Sequence, residues 1–146
     1  MQIFAAAVLL TLTLTACSIE RMAVDRIGNA LAASGSVYAS DDDPDFIREA
    51  IPFGLKTSES LLAVSPDHRG LLLAAASGYT AYAYILQDSA DRVAANDPAR
   101  ARALRARASR LYLRGRDYAL RGLEVAHSGF KLALRRDRAA ALATTD

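Results

Sequence analysis

Three stretches of this chain differ in how apolar positions are spaced, and each implies a different kind of helix. Phe4 to Thr15 is uncharged and built mainly from Ala, Val and Leu. At that length it cannot span a bilayer, which takes about 20 apolar residues, but it matches the apolar segment of an export signal. The second stretch, LLLAAASGYTAYAYIL at 71–86, is also uncharged and is bracketed by Arg69 and Asp88. A helix that is apolar on every side is a buried one, so this segment is expected to form the centre of the domain. The third stretch places Ala108, Gly115 and Gly122 seven residues apart, flanked by Leu104, Leu111 and Tyr118, with Arg on the other faces. Such a small-residue seam suits an antiparallel helix pair at short distance, and Gly78 in the second stretch predicts another close approach.

Good helix formers dominate, and the prolines sit where helices begin or end. Asp43-Pro44, Ser65-Pro66 and Asp97-Pro98 supply caps and first turns. Helices are therefore predicted at about 19–34, 44–64, 67–95, 98–125 and 129–142. Pro52 should kink or split the second near Ile51, because proline removes a hydrogen bond and crowds the preceding turn. The fold class that follows is all-α, an antiparallel helix array of tetratricopeptide-like (TPR-like) repeats. Pro66 and Pro98 are 32 residues apart, near the 34-residue period of such repeats, although their full consensus does not appear.

Chemistry changes the picture mainly at Cys17, the one cysteine in the chain. Leu14-Thr15-Ala16-Cys17 looks like a bacterial lipobox, in which the thiol is acylated and becomes the mature N-terminus. This divides the chain into a signal peptide, 1–16, and a single helical domain, 17–146. The competing readings are a small buried residue and a catalytic thiol, but neither accounts for the leader. One departure is the start Met1-Gln2-Ile3-Phe4, which has no Lys or Arg; either the true start lies upstream or the leader is atypical. With Ser18 rather than Asp after the cysteine, the expected address is the periplasmic side of the outer membrane, held through the lipid anchor.

Net charge is +2, but it is uneven: 6 basic and 12 acidic side chains precede Pro98, and 12 basic and 4 acidic follow it. The address argues against nucleic acid, and the arginines read as solvated helix surface or as a contact between the acidic and basic halves or with a partner. Asp41-Asp42-Asp43 lacks the ligand spacing of a calcium loop and is expected to cap a helix. His68 and His127 sit near helix ends, with no metal-binding or nucleophile motif around them. No catalytic residue, metal or cofactor is expected. Tyr79, Tyr82 and Leu86 fall on one stripe of the central helix, where they either pack in the core or line a ligand cleft.

The run AIPFGLKTSESLLAVSPDHRGLLLAAASGYTAYAYIL (50–86) is similar to the T component of TPR-associated TRAP transporters. The matching positions include Ala50, Pro52, Phe53, Leu55, Lys56, Glu59, Leu61, Leu62, Pro66, Gly78, Tyr79 and Tyr82. LYLRGRDYALRGLEVAHSGF (111–130) continues the similarity. The resemblance implies a periplasmic, non-catalytic helical lipoprotein that partners the solute-binding P component, assembles as a trimer and holds an apolar ligand. The alternative is a structural outer-membrane lipoprotein without a transport role. Family members run on through further repeats, so the chain resembles the front portion. An exposed seam around Leu132, Leu134 and Leu142 is then expected.

Overall fold

The computed structural model describes residues 19, 21–33 and 35–145. The expected leader and the lipidation site Cys17 lie outside them. Every regular element among the described residues is a helix: α1 (21–33), α2 (Gly35–Ser40), α3 (Pro44–Val64), α4 (Arg69–Val93), α5 (Pro98–Ala126), α6 (Phe130–Arg136) and α7 (Arg138–Leu142). The fold is all-α, as the sequence predicts.

The helix starts follow capping chemistry. Asp43 accepts from the backbone N–H groups of Asp45 and Phe46, and Asp97 from that of Arg100, each with proline in the first turn. His68 caps α4, its Nδ1 accepting from the Leu71 N–H at 3.1 Å. That role leaves the proton on Nε2, which donates to the Asp25 carbonyl at 3.2 Å. The same turn is tied to α1 again where Ser65 Oγ donates to Asp25 Oδ1 at 2.6 Å. A single histidine thus caps one helix and docks another.

Three boundaries depart from expectation. Pro52 does not split α3, which is helical from Pro44 to Val64. The hydrogen bond that proline lacks would have gone to the Arg48 carbonyl, and the helix carries that single missing bond without a break. The terminal helix is two helices, because Asp137 ends α6 and its side chain caps α7 through the Ala140 N–H. Glu124 caps α6 from outside, accepting from the N–H groups of Gly129 and Lys131 at 2.8 Å each. Gly129 has φ 84°, the left-handed region open to glycine, which lets the chain turn there. The short helix α2 was not foreseen.

The hairpin of α4 and α5 is the trunk of the molecule. Asp91 pairs with Arg105, Gln87 with Tyr112, and Leu72 faces Gly122, so the two helices run in opposite directions. The seam works most tightly at Gly115, where a Cβ would lie 2.9 Å from Thr80 Oγ1 and 3.0 Å from the Ala76 carbonyl oxygen. On the α3 side, a Cβ on Gly78 would lie 2.8 Å from Leu55 Cδ2. Leu71, Leu72, Ala75, Tyr79, Tyr82, Ala83 and Leu86 make α4 the main contributor to the core, together with Leu55, Leu62 and Ala108. α4 is not buried on every face, however. Leu73 is 70% exposed and Tyr84 66%, although α1, α3 and α5 all pack against other parts of α4. No described helix is long and apolar enough to cross a membrane.

A candidate binding cleft and its polar flank

One side of α4 forms an apolar cleft of about 500 Å³ with α1, α2 and α3. Its walls are Leu31, Ile47, Ile51, Leu55, Leu73, Ala74, Ala81 and Ile85, and Gly54 and Gly78 keep two positions free of side chain. The size lies within the range of small-molecule pockets, about 300–1,000 Å³. None of the lining residues carries a charge. Two of its hydroxyls are turned back on the helices: Ser58 Oγ donates to the Gly54 carbonyl and Ser77 Oγ to the Leu73 carbonyl, both at 2.9 Å. The third hydroxyl belongs to Tyr38 on α2, whose oxygen sits 3.0 Å from where a Cβ on Gly54 would be. A shallower groove on the adjoining surface, between α4 and α5, shares Leu73, Ser77 and Ala81 with the cleft and reaches Tyr112 and Arg116.

Tyr79, Tyr82 and Leu86 are buried on the side of α4 that packs with α5, and none of them lines the cleft. Leu86 belongs to the core cluster, and Tyr79 and Tyr82 to a layered contact that the sequence does not reveal. Arg107, Arg114 and Arg121, seven residues apart on α5, lie over the rings of Tyr82, Tyr79 and Tyr118 at 5.6, 4.9 and 5.6 Å. Tyr79 and Tyr118 stack with centroids 5.8 Å apart and planes 9° from parallel. These arginines are therefore not simply solvated surface; each contributes a cation–π contact.

Glu59 closes this contact from α3. Its side chain is 11% exposed and pairs with Lys56 at 2.7 Å and with Arg114. The Tyr118 hydroxyl donates to it at 2.9 Å, and the Tyr79 hydroxyl is within hydrogen-bonding reach. Burial pushes the Glu59 carboxyl upward, but the hydrogen bonds from Lys56, Tyr79 and Tyr118 and the Arg114 charge outweigh it and hold the group below its ordinary value. Burial, then the bond to Glu59, push the Tyr79 and Tyr118 hydroxyls up, so both stay neutral donors. One ionised carboxylate thereby links α3, α4 and α5. The sequence signal was present in the heptad spacing of the three arginines, but their partners lie on other helices and spacing alone does not reveal them.

The described helices thus place an uncharged, apolar cleft beside a locked α4–α5 hairpin. The family is set by comparison: the TRAP transporter T-component model matches residues 40–145, and the chain belongs to that family. It is similar to an uncharacterized protein of Treponema pallidum (strain Nichols), with 33% identity over 129 residues covering 78% of this chain and 40% of the relative. The chain thus spans less than half the length of that relative. No solved structure matches it.

Proposed function

We propose that this chain is the lipid-anchored T component of a TRAP-type system, holding an apolar ligand in the α1–α4 cleft and docking the solute-binding P component. Family membership carries the transport assignment, and the uncharged cleft supports an apolar ligand. The lipobox at Leu14–Cys17 supports acylation of Cys17 and a place on the periplasmic side of the outer membrane. Assembly as a trimer is the form that the family resemblance implies. Calorimetric titration of the full chain with the cognate solute-binding protein tests the partner; absence of heat and of co-elution refutes it. The cleft is tested with N-phenyl-1-naphthylamine, whose fluorescence rises in apolar sites. Ser77→Trp fills the cleft from an exposed position and should abolish that rise while the far-UV spectrum stays helical. Unchanged dye binding in this variant would place the dye elsewhere.

A further inference from the structure

The cleft has one group that its apolar walls do not require. Its lining is uncharged, and Ser58 and Ser77 have committed their protons to the carbonyls of Gly54 and Leu73. Tyr38 is different. Its phenol is brought over the α3 backbone at Gly54, where any larger residue would crowd it: a Cβ there would stand 3.0 Å from the phenol oxygen. Tyr38 is half-buried at the α2 edge of the cleft, so its hydroxyl can meet a ligand without being removed entirely from water. A hydroxyl in that position both donates and accepts.

We propose that the ligand of this cleft is an uncharged amphiphile, with an apolar body against Leu31, Ile51 and Ile85 and a single hydroxyl or carbonyl head read by the Tyr38 phenol. This rests on the cleft being the ligand site. A pure hydrocarbon leaves the phenol without a ligand partner. A carboxylate head would find no cation in the lining and would give up part of its hydration at the half-buried Tyr38 edge, which a neutral head does at less cost.

The experiment displaces N-phenyl-1-naphthylamine from the full chain with 1-decanol and, separately, with decanoate at pH 8. Decanol should compete at least about tenfold better than decanoate, because the carboxylate has no partner. Tyr38→Phe keeps the ring and removes the oxygen; it should weaken decanol, measured against the dye affinity of the same variant, by about 2- to 10-fold, the worth of one neutral hydrogen bond. Ser60→Ala, whose hydroxyl serves the helix at the Lys56 carbonyl and does not line the cleft, should leave both unchanged. Decanoate competing as well as decanol, or Tyr38→Phe leaving decanol unchanged, overturns the head-group assignment. If the dye fails to bind wild type, or binds Ser77→Trp equally well, the cleft reading itself fails, and this outcome is distinct from the other two.

Discussion

Removing the Glu59 carboxylate should loosen three helices at once. In Glu59→Ala the Tyr118 hydroxyl loses an acceptor at 2.9 Å, and Tyr79 loses the carboxylate within its reach. Lys56 and Arg114 have side chains 70% and 47% exposed, so they return to water and add little. Hydrogen bonds to a charged group contribute about 1.5–3 kcal/mol each. Counting mainly the Tyr118 bond, and allowing for Tyr118 being only half-buried, the loss is about 1–3 kcal/mol. For a chain of this size that lowers Tm by roughly 4–12 °C. Glu59→Gln keeps one acceptor oxygen and should cost about half as much. The folded Glu59 carboxyl lies below its ordinary 4.5. Its stabilisation is therefore complete above that value and is lost as pH falls through the lower folded one. The gap in Tm between wild type and Glu59→Gln should narrow as pH falls below 4.5 and through the lower folded value. Melts followed by circular dichroism at 222 nm give both readings, with Lys56→Ala as the exposed control. If Glu59→Ala melts within about 2 °C of wild type at pH 7, the three-helix link contributes little and the reasoning is refuted.

Gly115→Ala puts a methyl against a backbone oxygen that cannot turn aside, and denaturant titration should show a loss of about 1–3 kcal/mol. Gly78→Ala meets only the end of the Leu55 side chain, which can rotate, so the same assay should find it near neutral once the helix gain of about 1 kcal/mol is included. His68→Ala removes the α4 cap and the tether to Asp25 and should cost about 1–2 kcal/mol in denaturant melts. Cys17→Ser should leave an uncleaved, unlipidated precursor by mass spectrometry of membrane fractions; a free thiol at residue 17 in an intact wild-type chain would remove the anchor.

What could be read in advance was whatever is local or periodic. Asp43, Asp97 and the prolines mark helix starts because a cap acts on N–H groups two or three residues away. The Ala108–Gly115 seam announces a close partner because a repeated absence of side chain is itself a pattern. What escaped was non-local or too short to have a period. Asp25 and Ser65 are 40 residues apart and Glu59 and Tyr118 are 59 apart, with no spacing rule to connect them. α2 has six residues, GSVYAS, and its composition reads as a turn. The cost of Pro52 is local and legible, but the packing of the twenty-one-residue α3 that carries the helix through it is not.

The central helix shows why core and cleft could not be separated from the sequence. Residues 71–86 must be apolar for two reasons that leave the same mark. Tyr79, Tyr82, Ala83 and Leu86 recur at helical spacing and pack with α5, while Ala74, Gly78, Ala81 and Ile85 recur at the same spacing about one residue out of phase and line the cleft. One residue is about 100° around a helix, so the two stripes are neighbours, and their sum reads as a helix apolar all round. The residue sizes do distinguish them. The core stripe carries the large aromatics, whose hydroxyls find partners in Glu59 and Arg107, whereas the cleft stripe is mostly small, and small side chains on α4 leave room for a guest. A tyrosine on an apolar helix is thus poor evidence for a ligand site when arginines recur opposite it. The small residues one step away, facing a helix that brings its own glycine at Gly54, are the better indication.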